Sequence, residues 1–183
     1  MKKDNWIIKA FLMTFFIALI FSAISNVIVN GCNNFVILII LCLVFILIGI
    51  FFDIIGTAVL TANEASFHAK SSKKIKGSKE GVYLVKNSST ISSICNDVIG
   101  DICGIVSGSV AAMLSILVSN KTNFLLLFVT LLISSLVSSL TVGGKAIGKK
   151  FAIRNSDNII FMVAKVMYKF KFKCFLYLNY KSI

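Results

Sequence analysis

Between Phe35 and Leu60 the chain is almost unbroken Ile, Leu, Val and Phe, and its one charged residue, Asp53, lies near the far end. A helix needs about 20 consecutive apolar residues to cross a hydrocarbon layer about 30 Å thick. A run of this length and purity constrains the fold more than any other feature, because lipid leaves only helices and closed barrels as spanning structures. Three further apolar runs follow the same rule: Trp6 to about Ser25, about Thr90 to Val118, and Phe124 to about Val142. Of the 183 residues, 57% are hydrophobic, only 14% are charged, and none is proline. That balance excludes a disordered tail and is low in charge for a soluble domain. The expected fold class is all-α: a polytopic helical membrane protein with about four transmembrane helices and amphipathic cytosolic segments.

The cations are distributed unevenly. Lys2, Lys3 and Lys9 precede or open the first run, and the 27–34 connection has none. The 61–89 connection carries Lys70, Lys73, Lys74, Lys76, Lys79 and Lys86, the 119–123 turn only Lys121, and the rest follow from Lys145 onward. Alternation of rich and poor sides is the positive-inside pattern, with both termini in the cytosol and the protein multi-pass in the plasma membrane. The net charge of +12 therefore reads as topology and as attraction to anionic headgroups, not as nucleic-acid binding. Ser22-Ala-Ile-Ser25 also suits a signal-peptide cleavage site; with Trp6 as an interfacial anchor, a retained first helix (a signal anchor) is the favoured reading. Apolar positions in 61–89 suggest one or two amphipathic pieces broken at Gly77 and Gly81. From Tyr168 to Ile183, Lys alternates with Phe and Tyr, as in a strand or, preferably, an interfacial segment with aromatics down and lysines up. Cys32, Cys42, Cys95, Cys103 and Cys174 form no Cys-x-x-Cys pair, and His68 is the single histidine. A zinc site, a disulfide scaffold and a nucleophile–base pair are all unsupported, so an enzyme is not expected. Lys outnumbers Arg, and Ile, Asn and Phe abound, a bias that suggests an AT-rich bacterial genome.

The third run, Ser92 to Met113, combines apolar length with Asn96, Asp97 and Asp101. A carboxylate at membrane depth costs about 2.5–3.5 kcal/mol on insertion scales, so it usually faces a partner or a wet cavity. Gly100, Gly104 and Gly108 recur every fourth residue, a smooth ridge for close helix packing. Gly143 and Gly144 offer the same in the fourth run, where Ser134, Ser135, Ser138 and Ser139 add a small hydroxylated face. Counted inward from the cytosolic ends at about 1.5 Å per residue, Asp53, Asn96, Asp97, Asp101 and Lys145 fall in one layer. Two assignments stay open on the residues alone. Lys145 pairs an aspartate as a structural lock, or the oxygens of Asp53, Asn96, Asp97 and Asp101 ligate a hard cation such as Mg²⁺.

Three stretches resemble the transmembrane module of the CNNM/CorC family of magnesium transporters. Phe51-Phe-Asp-Ile-Ile-Gly-Thr-Ala-Val59 is similar to that family's Phe-Phe-x-x-Ser-Glu-Thr-Ala-Leu. Ile91 to Met113 resembles its Leu-Ser-Thr-Ile-x-x-Gly-Asn-x-Leu-Val-Asn helix, with Asn96 on the family asparagine. Gly144-Lys-Ala-Ile-Gly-Lys-Lys-Phe-Ala-Ile-Arg-Asn155 resembles Gly-Glu-x-x-Pro-Lys-x-x-Ala-x-Arg-Asn. The resemblance implies a homodimer and a dehydrated Mg²⁺ held between helices by Ser, Asn and Glu oxygens. This chain departs from it: Ile55 replaces the serine, Gly56 and Lys145 the two glutamates, and Gly148 the proline. A lysine at a ligand position repels a cation directly. Asp53, Asp97 and Asp101 would then be the compensating ligands and Lys145 a counter-charge or gate. The expected organisation is a first helix and external loop over 1–34, a CNNM/CorC-like module over 35–165, and a basic-aromatic tail over 166–183. The residues after the basic run are too few for the CBS pair usual in the family. The alternative is a membrane scaffold or regulatory partner that kept the fold and lost the ion site.

Overall fold

The computed structural model describes residues 4–31, 34–122 and 125–169, and among these no strand occurs. The protein is all-α. Helix α1 spans Asp4–Gly31 and α2 Phe35–Thr61. Two short helices, α3 (Glu64–Ser72) and α4 (Ser78–Lys86), precede α5 (Ser88–Ser93). A π-helical turn, Ile94–Gly100, then leads into α6 (Asp101–Thr122), followed by α7 (Leu126–Arg154) and α8 (Ser156–Lys169). Four stretches are long and apolar enough to cross a membrane: Phe11–Val29, Phe35–Thr61, Ser88–Thr122 and Leu126–Arg154.

Helical boundaries exceed the expected ones where no proline or cap stops them. α1 continues to Gly31, taking in much of the supposed 27–34 connection, and α7 runs on through Gly143 and Gly144 to Arg154 instead of ending near Val142. Glycine in a helix costs about 1 kcal/mol relative to alanine. At Gly144 packing supplies the reason, since a Cβ there would collide with Ile50 Cδ1. The alternating tail expected over Tyr168–Ile183 lies, beyond Lys169, outside the described residues.

The chain divides into two compact units. Unit 1 comprises residues 1–53 and 94–148. Its interior is built from Leu38, Cys42 and Ile46 of α2 against Val110 and Leu114 of α6, and from Phe45 against Val98, Ile102 and Val106. Helix α1 joins through Ile17, Ala18 and Phe21, whose ring lies 6.0 Å from that of Phe45. Small polar residues inside are satisfied locally: Ser107 Oγ donates to the Gly104 carbonyl and Ser115 Oγ to that of Ala111, each at 2.9 Å. Large apolar side chains instead cover the outside, among them Phe11, Phe15, Leu47, Leu127, Leu132 and Ile147.

Unit 2 comprises residues 54–93 and 149–183. Phe67, Leu84, Val85 and Ile160 fill a core with Ala58, Val59, Ala152 and Ala164. Asn63 caps α3, its side chain accepting the Ala65 N–H at 3.0 Å, while its own N–H donates to Asp157 Oδ1 at 2.9 Å. The expected break at Gly77 is real: it takes a left-handed φ of 87° before α4. Gly81, expected as a second break, lies inside α4, because a Cβ there would fall 2.5 Å from the Phe67 ring. Lys73, Lys74, Lys76 and Lys79 are exposed.

Candidate functional site

The register between α2 and α6 decides which polar residues meet. Cys42 Sγ donates to the Ser107 carbonyl at 3.6 Å. Two turns further along α2, a Cβ on Gly49 would lie 3.2 Å from Cys103 Cβ and 3.5 Å from the Gly100 carbonyl oxygen. The helices are therefore antiparallel, each turn forward on α2 meeting a turn backward on the third span. Asp53 lies one turn beyond Gly49 on α2 and Asn96 lies beyond Gly100 within the π turn, so the antiparallel course carries both past this approach in the same direction. Asp53 is buried, with 3% of its surface exposed, and Asn96 is half-buried. Both residues take part in polar interactions.

Asn96 and Asp97 sit inside the π-helical turn Ile94–Gly100. Such turns hold an extra residue, widen the backbone, and occur most often at functional sites. The wide turn turns Cys95, Val98 and Gly100 inward and leaves Asp97 exposed. Asp101, the first residue of α6, is exposed as well.

Lys145 reaches this region from α7. Its Nζ lies 3.6 Å from Asp101 Oδ1 and donates to the Gly100 carbonyl at 3.4 Å. The lysine side chain is 21% exposed and that of Asp101 68%. Gly144, packed on Ile50 without a side chain, lets α7 come close enough for its neighbour to reach α6. In water such a pair contributes at most about 1 kcal/mol. At membrane depth the same contact neutralises a carboxylate whose ionised form is costly there.

Of the residues named from the sequence, the structure thus joins Asp101 with Lys145 and buries Asp53 on the helix packed against the span that carries Asn96. It leaves Asp97 exposed with no ion pair. Among the described residues no group of three or more His, Cys, Asp and Glu side chains converges as a metal cage would require. Gly100 sits at the close approach of α2, whereas Gly104 and Gly108 open onto a cavity of about 210 Å³ lined also by Ser107, Ser134, Ser138 and Thr141. Gly143 has open space where a side chain would be. Sequence reasoning missed the π turn altogether. It has no residue signature, and only the polar pair inside an otherwise apolar span marks its place.

Comparison with protein-family models, with curated proteins and with solved structures finds no match to this chain.

Proposed function

We propose that this chain is a multi-pass plasma-membrane protein with a CNNM/CorC-like core that takes part in divalent-cation transport, Mg²⁺ being the first candidate cargo. The reading is carried by one observation: a carboxylate, Asp53, buried at 3% exposure on a helix of spanning length that packs antiparallel to the span whose π turn holds Asn96. Carboxylate and amide oxygens are the hard ligands that Mg²⁺ prefers, and a small cation that keeps several waters needs only one or two carboxylates from the protein. Asp53 and Asn96 would contact the ion. Asp97 and Asp101, on the exposed side of the wide turn, would collect it, and Lys145 would hold Asp101 as counter-charge or gate. The cation distribution along the chain supports both termini in the cytosol, where the basic connection and tail would meet anionic headgroups. The resemblance supports a homodimer, in which a second copy would cover Asp97 and Asp101.

A second reading is favoured by the position of Lys145. Its ammonium already takes a backbone carbonyl and a carboxylate, the groups a metal would use. On that reading the chain is a scaffold or regulatory partner with a tethered cation in place of a mobile one. Thermal unfolding of the purified protein separates the two. Millimolar Mg²⁺ or Mn²⁺ raises the midpoint if a site exists, by about 2.7 kcal/mol of added stability at a hundred times Kd, and Asp53→Asn abolishes the shift. No shift in the wild type, together with a shift created by Lys145→Glu, decides for the scaffold.

A further inference from the structure

In unit 2, two cations converge on one aromatic ring. Lys165 Nζ lies 4.4 Å from the Phe161 centroid and Lys70 Nζ 4.7 Å from it; Lys70 also lies 5.0 Å from the Phe67 centroid. Phe161 and Lys165 are one turn apart on α8, and Lys70 follows Phe67 by one turn on α3. The arrangement is held from beneath. Phe67 is fully buried, and Phe161 packs against the same core. Gly77, at φ 87°, brings the start of α4 so near α8 that a Cβ would sit 3.2 Å from the Lys165 backbone. Among the described residues, neither Lys70 nor Lys165 is seen in a salt bridge with a carboxylate. A ring attracts each cation, yet two ammonium groups at one ring also repel each other, and an anion that meets both relieves the repulsion.

We propose that Lys70 and Lys165, seated on Phe161, clamp the phosphate group of an anionic lipid headgroup. Phosphate oxygens accept charge-assisted hydrogen bonds from both ammonium groups at once. Lipid is the source favoured over soluble phosphate because unit 2 continues directly from α2 and α7, both of spanning length. The exposed Lys73, Lys74, Lys76 and Lys79 on the intervening segment add attraction to an anionic surface. The proposal rests on the reading that unit 2 lies at the headgroup level, and it involves no metal.

The test uses the full chain in nanodiscs, without divalent cations, and residue-resolved labelling of amines read by mass spectrometry. Discs of phosphatidylcholine are compared with discs doped with phosphatidylglycerol. Labelling of Lys70 and Lys165 is expected to fall severalfold more than that of Lys73 and Lys76. In Lys70→Gln the protection of Lys165 is expected to drop about fivefold, the weight of one headgroup-level charge. Phe161→Leu, which keeps the core filled, is expected to remove the selectivity for both lysines. Equal protection of all lysines, or none, overturns the clamp, as does full protection of Lys165 in Lys70→Gln. Protection by inorganic phosphate in neutral discs, without protection by phosphatidylglycerol, overturns the lipid assignment. Because no divalent metal is present, loss of the clamp leaves the cation reading standing, and the reverse holds as well.

Discussion

The two units differ most on their outer surfaces. Both bury large apolar side chains, but unit 1, around Leu38, Phe45 and Ile46, also sets small residues at its helix contacts (Gly49, Gly100, Cys103, Ser107, Ala111) and shows phenylalanine and leucine outside. Unit 2 keeps Phe67, Leu84 and Ile160 inside and shows lysine. In water, burial of large apolar groups drives folding, at about 25 cal/mol per Å². In lipid that drive between helices vanishes, and close backbone approach takes over, which favours small side chains at contacts. The apolar outside of unit 1 is compatible with a membrane, and the lysines of unit 2 with more polar surroundings. The contrast is sharpest on α7: only 6% of its most apolar stretch is buried in the single chain, against 44% for the span containing α6.

The largest test of that contrast is Phe67→Ala. Truncating a fully buried phenylalanine should cost about 3–5 kcal/mol, seen as early thermal loss and proteolysis of the 62–93 segment while unit 1 stays helical in detergent. If the whole chain melted together at the lower temperature, the division into separately built units would be wrong. Leu132→Asp, on the exposed face of α7, should cost about 2.5–3.5 kcal/mol in a membrane-insertion assay. A change behaving like an ordinary surface substitution would mean that this face meets water. Asn63→Ala removes the α3 cap and should lower unit 2 stability by about 1 kcal/mol, read as faster amide exchange at Ala65 and Ser66. Smallest is Lys145→Met, expected to cost less than about 1 kcal/mol in detergent because Asp101 is largely exposed. A loss of several kcal/mol would show Asp101 to be covered in the working assembly.

The four spans were readable because length and purity need no tertiary context: Phe35–Leu60 in the sequence became Phe35–Thr61 in the structure. The break at Gly77 was readable too, whereas Gly81 was not. Its role is to clear space for Phe67, fourteen residues earlier, a contact with no local trace. The partnership of Lys145 with an aspartate was among the expectations, and Asp101 is the one it takes. The faces on which Asn96 and Asp97 fall could not be read from the sequence, for a definite reason. The wheel of about 100° per residue assumes 3.6 residues per turn, and the π turn interrupts that count between Ile94 and Gly100. Asp97 and Asp101 are both exposed in the single chain, and which side of the helix they take depended on the π turn.

The wide turn at Ile94–Gly100 is, in effect, a spare residue stored in the middle of a rod. Most single-residue deletions in a packed helix rotate everything downstream by more than a quarter turn. Here the rod can close up to ordinary pitch, and Cys103, Val106 and Val110 stay where they face α2. Shortening tolerated between Ile94 and Gly100, and nowhere else along that span, would be the genetic signature of this slack.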